Sequence, residues 1–121
     1  MNKTMKIIGW VISGLIAGLL LFSAFGKLSG MLEVEEMFIK MGLTDWKVII
    51  GIGEMVSAIL FLIPKTQSLG TLLLSSYMGG AIVVHMQGEE SILLQSAILV
   101  FVWIASVLRN PKTLSSFTKK R

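Results

Sequence analysis

The sequence predicts an all-α integral membrane protein, a bundle of four transmembrane helices that forms one domain over residues 1–121. Hydrophobic residues make up 54% of the 121 positions and charged residues 15%, and the mean hydropathy is +0.80. A soluble domain has about 25% charged residues, so this chain has too few to cover a water-facing surface. The apolar residues also fall into four runs, each near the length of about 17–25 residues that a membrane-spanning helix needs.

The four predicted helices cover residues 7–26, 46–63, 68–86 and 92–108. Pro64 separates the second helix from the third, and Pro111 follows the fourth. Proline lacks a backbone N–H and clashes with the preceding turn, so each of these positions is a natural helix end.

The start of the chain has an alternative reading as a secretory signal peptide, because Lys3 and Lys6 precede the first apolar run. The apolar core of a signal peptide is typically about 7–15 residues long, and the run over 7–26 is longer and uncharged. The segment FSAFG at its end is a poor cleavage site. We therefore expect the first helix to be retained.

Basic residues are concentrated on one side of the predicted bundle, the side of both termini and of the turn after Pro64. That side carries no acid and eight basic residues, which are Lys3, Lys6, Lys65, Arg109, Lys112, Lys119, Lys120 and Arg121. The opposite side carries Lys27, Lys40 and Lys47 among the acids Glu33, Glu35, Glu36, Asp45, Glu89 and Glu90. The positive-inside rule then predicts cytoplasmic termini. The net charge of +4 reflects this topology and does not indicate nucleic-acid binding.

The connection between the first two helices, Lys27–Lys47, is predicted to lie outside. Four apolar residues there share one helical face and three charged residues lie largely opposite, namely Met31, Val34, Phe38 and Met41 against Glu33, Glu36 and Lys40. This pattern predicts a short amphipathic helix in the membrane interface. An ordinary solvated loop is the alternative.

Glu54 interrupts the second apolar run, within the first two turns of GIGEMVSAILFLIPKT. An acid at the centre of a membrane helix costs about 2.5–3.5 kcal/mol on insertion scales, so we expect Glu54 to face the bundle. Its helical neighbours Gly51, Ser57 and Ala58 form a face of small residues suited to close helix contact.

Each helix is predicted to bring a polar side chain to the outer half of the bundle, whereas the inner half offers little beyond scattered serines. These residues define a predicted ligand- or proton-binding pocket of Glu54, Tyr77, His85, Lys27, Gln95 and Ser57. Taken alone, Lys27 would be an anchor whose amine reaches the membrane surface. The alternative for the whole cluster is a structural one, in which Glu54 accepts hydrogen bonds from Tyr77 or Lys27 and fixes the helix register.

Several chemistries are excluded or disfavoured by the residues present. The chain has no cysteine and one histidine, so thiolate chemistry and bis-histidine haem ligation within the chain are ruled out. Glu54 and His85 are two of the three or four ligands that a zinc site needs, so neither metal nor haem is expected. The segment GLIAG is a GxxxG packing motif, and Gly14, Gly18, Gly51, Gly79 and Gly80 are predicted to lie at helix contacts. A self-contained enzyme is not expected.

Three stretches together resemble a known family. FSAFGKLSG ends the first helix, MGLTDWKVIIGIGEMVSAILFLIPKTQSLGTLLLSSYMGGAIVVHM covers the second and third, and WIASVLRNPKTL ends the fourth. The pattern of G-K-L, G-x-x-E, P-[KR]-T-x-x-L-G, Y-x-G-G-A and R-[ND]-P is similar to that of the DoxX-like family of small four-helix membrane proteins.

The resemblance implies a multi-pass protein of the bacterial cytoplasmic membrane. Relatives are linked to membrane-associated redox systems, including quinone-coupled thiosulfate oxidation and oxidative-stress complexes. The resemblance therefore implies an accessory or quinone-interacting component of such a redox system. Its implied partners are the lipid bilayer, a membrane-associated oxidoreductase or a second copy of the chain. A proton-coupled transporter and a structural protein without ligand remain as alternatives.

Overall fold

The structure is a computed structural model that describes residues 3–87 and 91–114. Five α-helices follow one another, namely α1 (Lys3–Ser29), α2 (Leu32–Met41), α3 (Lys47–Leu62), α4 (Gln67–Gln87) and α5 (Leu93–Arg109). Short 3₁₀ turns occupy Thr44–Trp46, Pro64–Thr66 and Pro111–Leu114. Part of the predicted charge pattern lies outside the described residues, at Glu89, Glu90, Lys119, Lys120 and Arg121.

The predicted helix bounds agree with α3, α4 and α5 to within one residue at each end. The first helix is longer than predicted, since α1 begins at Lys3 and ends at Ser29. Hydropathy marks the apolar part of a helix, whereas lysine is a good helix former and lets the backbone continue beyond that part. Gly30 follows with φ of +75°, a left-handed conformation that ends helices and that glycine adopts without strain.

The four long helices surround one core. α1 packs against α3 and α5, and α4 packs against the same two helices. The buried apolar residues between them are Ile16, Ala17, Leu20, Ala58, Phe61, Leu74, Met78, Ile98, Val102 and Ala105. We call the end of the helices near Lys3, Pro64 and Arg109 the termini end, and the opposite end the α2 end.

Large apolar side chains also cover the outside of the long helices. Leu15 is 71% exposed, Phe22 69% and Leu72 58%. Within the described residues, Lys3–Ser29 and Pro64–Gln87 are long and apolar enough to cross a membrane, and α5 is apolar but shorter. A surface of this kind suits lipid better than water.

The predicted glycine contacts are wrong at four of five positions. A Cβ added at Gly51 would meet Leu28 of α1 at 3.1 Å, as predicted. Added Cβ atoms would have open space around them at Gly14, Gly18, Gly79 and Gly80. The closest approach is instead at Gly70, where a Cβ would overlap the backbone of Phe61. A GxxxG motif shows that close packing is feasible, but helix rotation decides which face meets a neighbour.

Candidate functional site

Glu54 is buried in the α2 half of α3, with 1% of its surface exposed. Gly51, Ser57 and Ala58 are buried on the same face, which confirms the predicted face of small residues. Because Gly51 has no side chain, α1 approaches so closely that a Cβ there would lie 3.2 Å from the Cβ of Lys27. This contact brings the Lys27 side chain alongside Glu54.

A buried ion pair joins α1 to α3. Lys27 Nζ lies 2.8 Å from Glu54 Oε1 and donates a second hydrogen bond of 2.6 Å to Ser23 Oγ. Ser23 Oγ in turn donates to Glu54 Oε1 at 3.3 Å. Ser23 and Lys27 are four residues apart and therefore share one face of α1. Lys27 is 7% exposed, so its interpretation as a surface-reaching anchor is wrong.

Tyr77 brings α4 to the same cluster. Its ring centroid lies 6.0 Å from Lys27 Nζ, and Tyr77 lines the same cavity as Glu54. A cation above an aromatic ring at this distance is weakly attracted to it. The charged pair is thus enclosed by polar and aromatic groups from three helices.

His85 and Gln95 form a second polar pair at the α2 end, between α4 and α5. His85 Nδ1 lies 2.7 Å from Ala81 O, and His85 Nε2 lies 3.3 Å from Gln95 Nε2. Gln95 Oε1 is buried and has no hydrogen-bond partner within the described part of the chain. The His85 and Gln95 side chains therefore connect α4 to α5 and leave Gln95 Oε1 without a partner among the described residues.

A cavity of about 650 Å³ lies between these two polar pairs. Lys27, Glu54, Tyr77, His85 and Gln95 all line it, so the structure brings together five of the six predicted pocket residues. The rest of the lining is largely apolar and includes Leu20, Phe22, Val84, Leu94 and Ile98. Ser57 is buried one turn further along α3, outside the lining that the structure describes, and donates to Gly53 O at 2.7 Å.

Helix α2 forms the cover of this cavity. The predicted amphipathic helix is present, and Phe38 is buried while Met37 and Met41 also line the cavity. Gly30 and Gly42, with φ of +75° and +73°, lie on either side of α2. Glu35 of α2 pairs with Lys47 Nζ of α3 at 2.7 Å. The alternative of a solvated loop is therefore wrong.

A second buried polar cluster lies at the termini end. Arg109 of α5 is 5% exposed, and its guanidinium donates to Phe61 O at 2.7 Å, to Leu62 O at 3.3 Å and to Ser13 Oγ at 3.1 Å. Phe61 and Leu62 end α3, where carbonyl groups lack intrahelical partners and a cation is favoured. Among the described residues no carboxylate pairs with Arg109, so helix carbonyls compensate its charge.

The neighbours of Arg109 extend this cluster across α1, α4 and α5. The Arg109 guanidinium lies 3.9 Å from the ring centroid of Trp10. Gln67 Nε2 donates to Ser106 O at 3.1 Å, and the hydroxyls of Thr71 and Ser106 are 2.6 Å apart. The expectation of an inner half with little beyond scattered serines is therefore wrong.

The spacing of polar residues in the sequence contains a local signal for this second cluster. Gln67 and Thr71 are four residues apart, and Ser106 and Arg109 are three apart, so each pair occupies one helical face. Arg109 also belongs to the flanking basic residues that predict the topology. A basic residue at the end of an apolar run fits both roles, and the local sequence does not distinguish them.

The α2 end thus offers hydrogen-bonding groups and a neutralised ion pair around an apolar space. Within residues 3–87 and 91–114, no group of three or more histidine, aspartate or glutamate side chains is placed to hold a metal ion. The arrangement has the ordinary form of a small-molecule site, which is a mostly apolar cleft with a few converging polar groups.

Within the described residues the fold is all-helical, and two of its helices are long and apolar enough to cross a membrane, which defines the class as an all-helical protein with membrane-compatible helices. The sequence pattern of the DoxX-like family matches residues 11–107, and the chain belongs to this family. The match covers α2, α3 and α4 completely, as well as the ion pair and the cavity lining. No curated protein and no solved structure matches the chain.

Proposed function

We propose that the protein is a multi-pass protein of the bacterial cytoplasmic membrane whose cavity at the α2 end binds an apolar small molecule. In this proposal α1, α3, α4 and α5 form a four-helix bundle with both termini in the cytoplasm. The apolar outer surface supports the bundle in lipid, and the basic residues at the termini end support the orientation. The cavity then lies in the outer half of the bundle, under α2.

The observation that carries the binding role is the cavity itself. Its volume of about 650 Å³ falls within the range of about 300–1,000 Å³ that is usual for small-molecule sites. Its lining is mostly apolar, and its two charged residues, Lys27 and Glu54, neutralise one another. A mostly uncharged, apolar molecule therefore fits the lining better than an ion.

Family membership suggests the setting in which such a molecule is used. DoxX-like relatives are linked to membrane-associated redox systems, so we propose an accessory or quinone-interacting component of a redox or oxidative-stress system. The chain has no cysteine, and thus a thiol-based step would belong to a partner oxidoreductase. In this role the protein binds a molecule and does not act as an enzyme by itself.

A structural role for the polar cluster is the second candidate, and the ion pair favours it. Lys27 and Ser23 of α1 both hydrogen-bond Glu54 of α3, which fixes the register of the two helices. The proton-coupled transporter receives less support. The acid of such a transporter has to exchange partners, whereas Lys27 and Ser23 of α1 already hold the Glu54 carboxylate.

Single cysteines test the orientation and the binding role together, since the natural chain contains none. Thr44→Cys marks the α2 end, Lys65→Cys marks the termini end and Ser76→Cys lines the cavity. In intact cells, a membrane-impermeant maleimide should label Thr44→Cys and leave Lys65→Cys unlabelled until the membrane is permeabilised. In lipid nanodiscs, para-octylphenol should slow the reaction of Ser76→Cys with a small thiol reagent.

Thr44→Cys provides the control for the binding measurement, because Thr44 is exposed and outside the cavity lining. Its reaction rate should be the same with and without para-octylphenol. Labelling of Lys65→Cys in intact cells would contradict the orientation. Equal slowing at both cysteines, or at neither, would contradict binding in the cavity.

A further inference from the structure

The hydrogen bonds of His85 determine which ring nitrogen carries the proton. Ala81 O can only accept a hydrogen bond, so His85 Nδ1, at 2.7 Å, must be the donor. In the neutral imidazole, Nε2 then presents a lone pair and can only accept. The contact of 3.3 Å between His85 Nε2 and Gln95 Nε2 is therefore a bond that the Gln95 amide donates.

This assignment fixes the orientation of the Gln95 carboxamide. Its NH₂ group is directed to His85, and Oε1 is consequently the atom that lies buried without a partner among the described residues. An unpaired buried acceptor is costly and is normally satisfied by protein, water or ligand. Gln95 borders the cavity, so a molecule bound there lies beside the carboxamide that carries Oε1.

The charged groups of the cavity do not provide a competing anchor. Lys27 and Glu54 are satisfied by each other and by Ser23. A charged ligand would have to break this pair or be buried without a counter-ion, and both are expensive in an apolar site. Among the described residues, the buried polar atom of the lining that lacks a partner is Gln95 Oε1. This atom is an uncharged acceptor, so its partner has to be a hydrogen-bond donor.

We propose that the cavity selects an uncharged, mostly apolar molecule that carries a hydroxyl group, and that Gln95 Oε1 accepts a hydrogen bond from this hydroxyl. The inference rests on the proposed function, because it assigns the ligand class of that same cavity. Applied to quinones, it favours the reduced form, whose hydroxyls donate, over the oxidised form, whose carbonyls only accept. His85 is a positioning residue, since it holds the amide in the orientation that leaves Oε1 free.

Two probes that differ in one donor test the inference. Para-octylphenol carries a hydroxyl, and para-octylanisole is its methyl ether, with nearly the same shape and no donor. Binding is measured in lipid nanodiscs by protection of the Ser76→Cys thiol, with the free probe concentration corrected for partition into protein-free nanodiscs. We expect the phenol to bind about tenfold more tightly than the ether, the effect of one hydrogen bond to an otherwise unpaired buried acceptor.

Two substitutions, each made in the Ser76→Cys protein, test whether the preference for the phenol depends on Gln95. Gln95→Leu should bring phenol and ether to equal affinity, because the acceptor is gone. Gln87→Leu makes the same change at an exposed position outside the cavity lining and should keep the tenfold preference. The comparison of the two probes in the Ser76→Cys protein leaves Gln95 unchanged, so poor folding of Gln95→Leu does not prevent the test.

The outcomes separate the two proposals. Tighter binding of the phenol that disappears in Gln95→Leu supports the inference. Equal binding of phenol and ether to the Ser76→Cys protein overturns the inference while the cavity remains a binding site. A preference that survives in Gln95→Leu also overturns it. Absence of protection by either probe overturns the proposed function as well.

Discussion

Replacing Lys27 with methionine is expected to lower the free energy of unfolding by about 3–5 kcal/mol, because it leaves Glu54 buried without its cation. Glu54 is 1% exposed and Lys27 lies 2.8 Å from it, so neither water nor another described cation replaces the lost partner. Methionine has a similar length, which keeps the packing change small. Denaturant titration in detergent micelles, followed by circular dichroism, measures the difference.

Two further variants separate charge loss from packing loss at Lys27. Lys47→Met removes the cation of the Glu35 pair, whose carboxylate is 48% exposed, and should cost less than about 1 kcal/mol. The double variant Lys27→Met, Glu54→Gln should recover most of the stability, because no uncompensated charge remains. An equal loss for Lys27→Met and Lys47→Met would contradict the buried ion pair.

Arg109→Leu is expected to be about as destabilising as Lys27→Met and to lower the free energy of unfolding by about 3–5 kcal/mol. The guanidinium satisfies the carbonyls of Phe61 and Leu62 at the end of α3, and each buried acceptor left unpaired costs about 1–3 kcal/mol. Leucine also lacks the guanidinium that stacks on the Trp10 ring. The same denaturant titration measures the loss.

The control for Arg109 is Lys112→Leu, which removes an exposed basic residue at the same end and should change stability by no more than about 0.5 kcal/mol. Arg109→Lys should retain only part of the stability. The ammonium keeps the positive charge but cannot reach all of the separate acceptors that the planar guanidinium joins. If Arg109→Leu matched Lys112→Leu, the residue would act as a flanking charge and not as the cap of α3.

The helices and the polar pocket could be predicted from the sequence because local residue patterns mark both of them. Apolar runs bounded by Pro64 and Pro111 mark helix ends, and the small residues around Glu54 mark the face on which it lies. That face, together with helix direction, was enough to predict that Lys27, Tyr77, His85 and Gln95 share the α2 end of the structure.

Other features depend on helix rotation and close contact, which the local sequence does not encode. Gly18 meets open space although the GxxxG motif predicts a helix contact there, and the close contact with Phe61 occurs at Gly70. Ser57 has the right helical spacing for the pocket but bonds its own helix at Gly53. The cavity volume arises from the shape of five helices, including the position of Phe38 in α2, and no single segment predicts it.

A structure determined in lipid nanodiscs prepared from the native membrane tests the central claim most directly, because it shows whether the cavity holds a molecule. We expect non-protein density of small-molecule size between the Lys27–Glu54 pair and the His85–Gln95 pair, under Phe38 of α2. A cavity closed by inward movement of Met37 and Met41, or a Glu54 side chain that faces lipid, would contradict it.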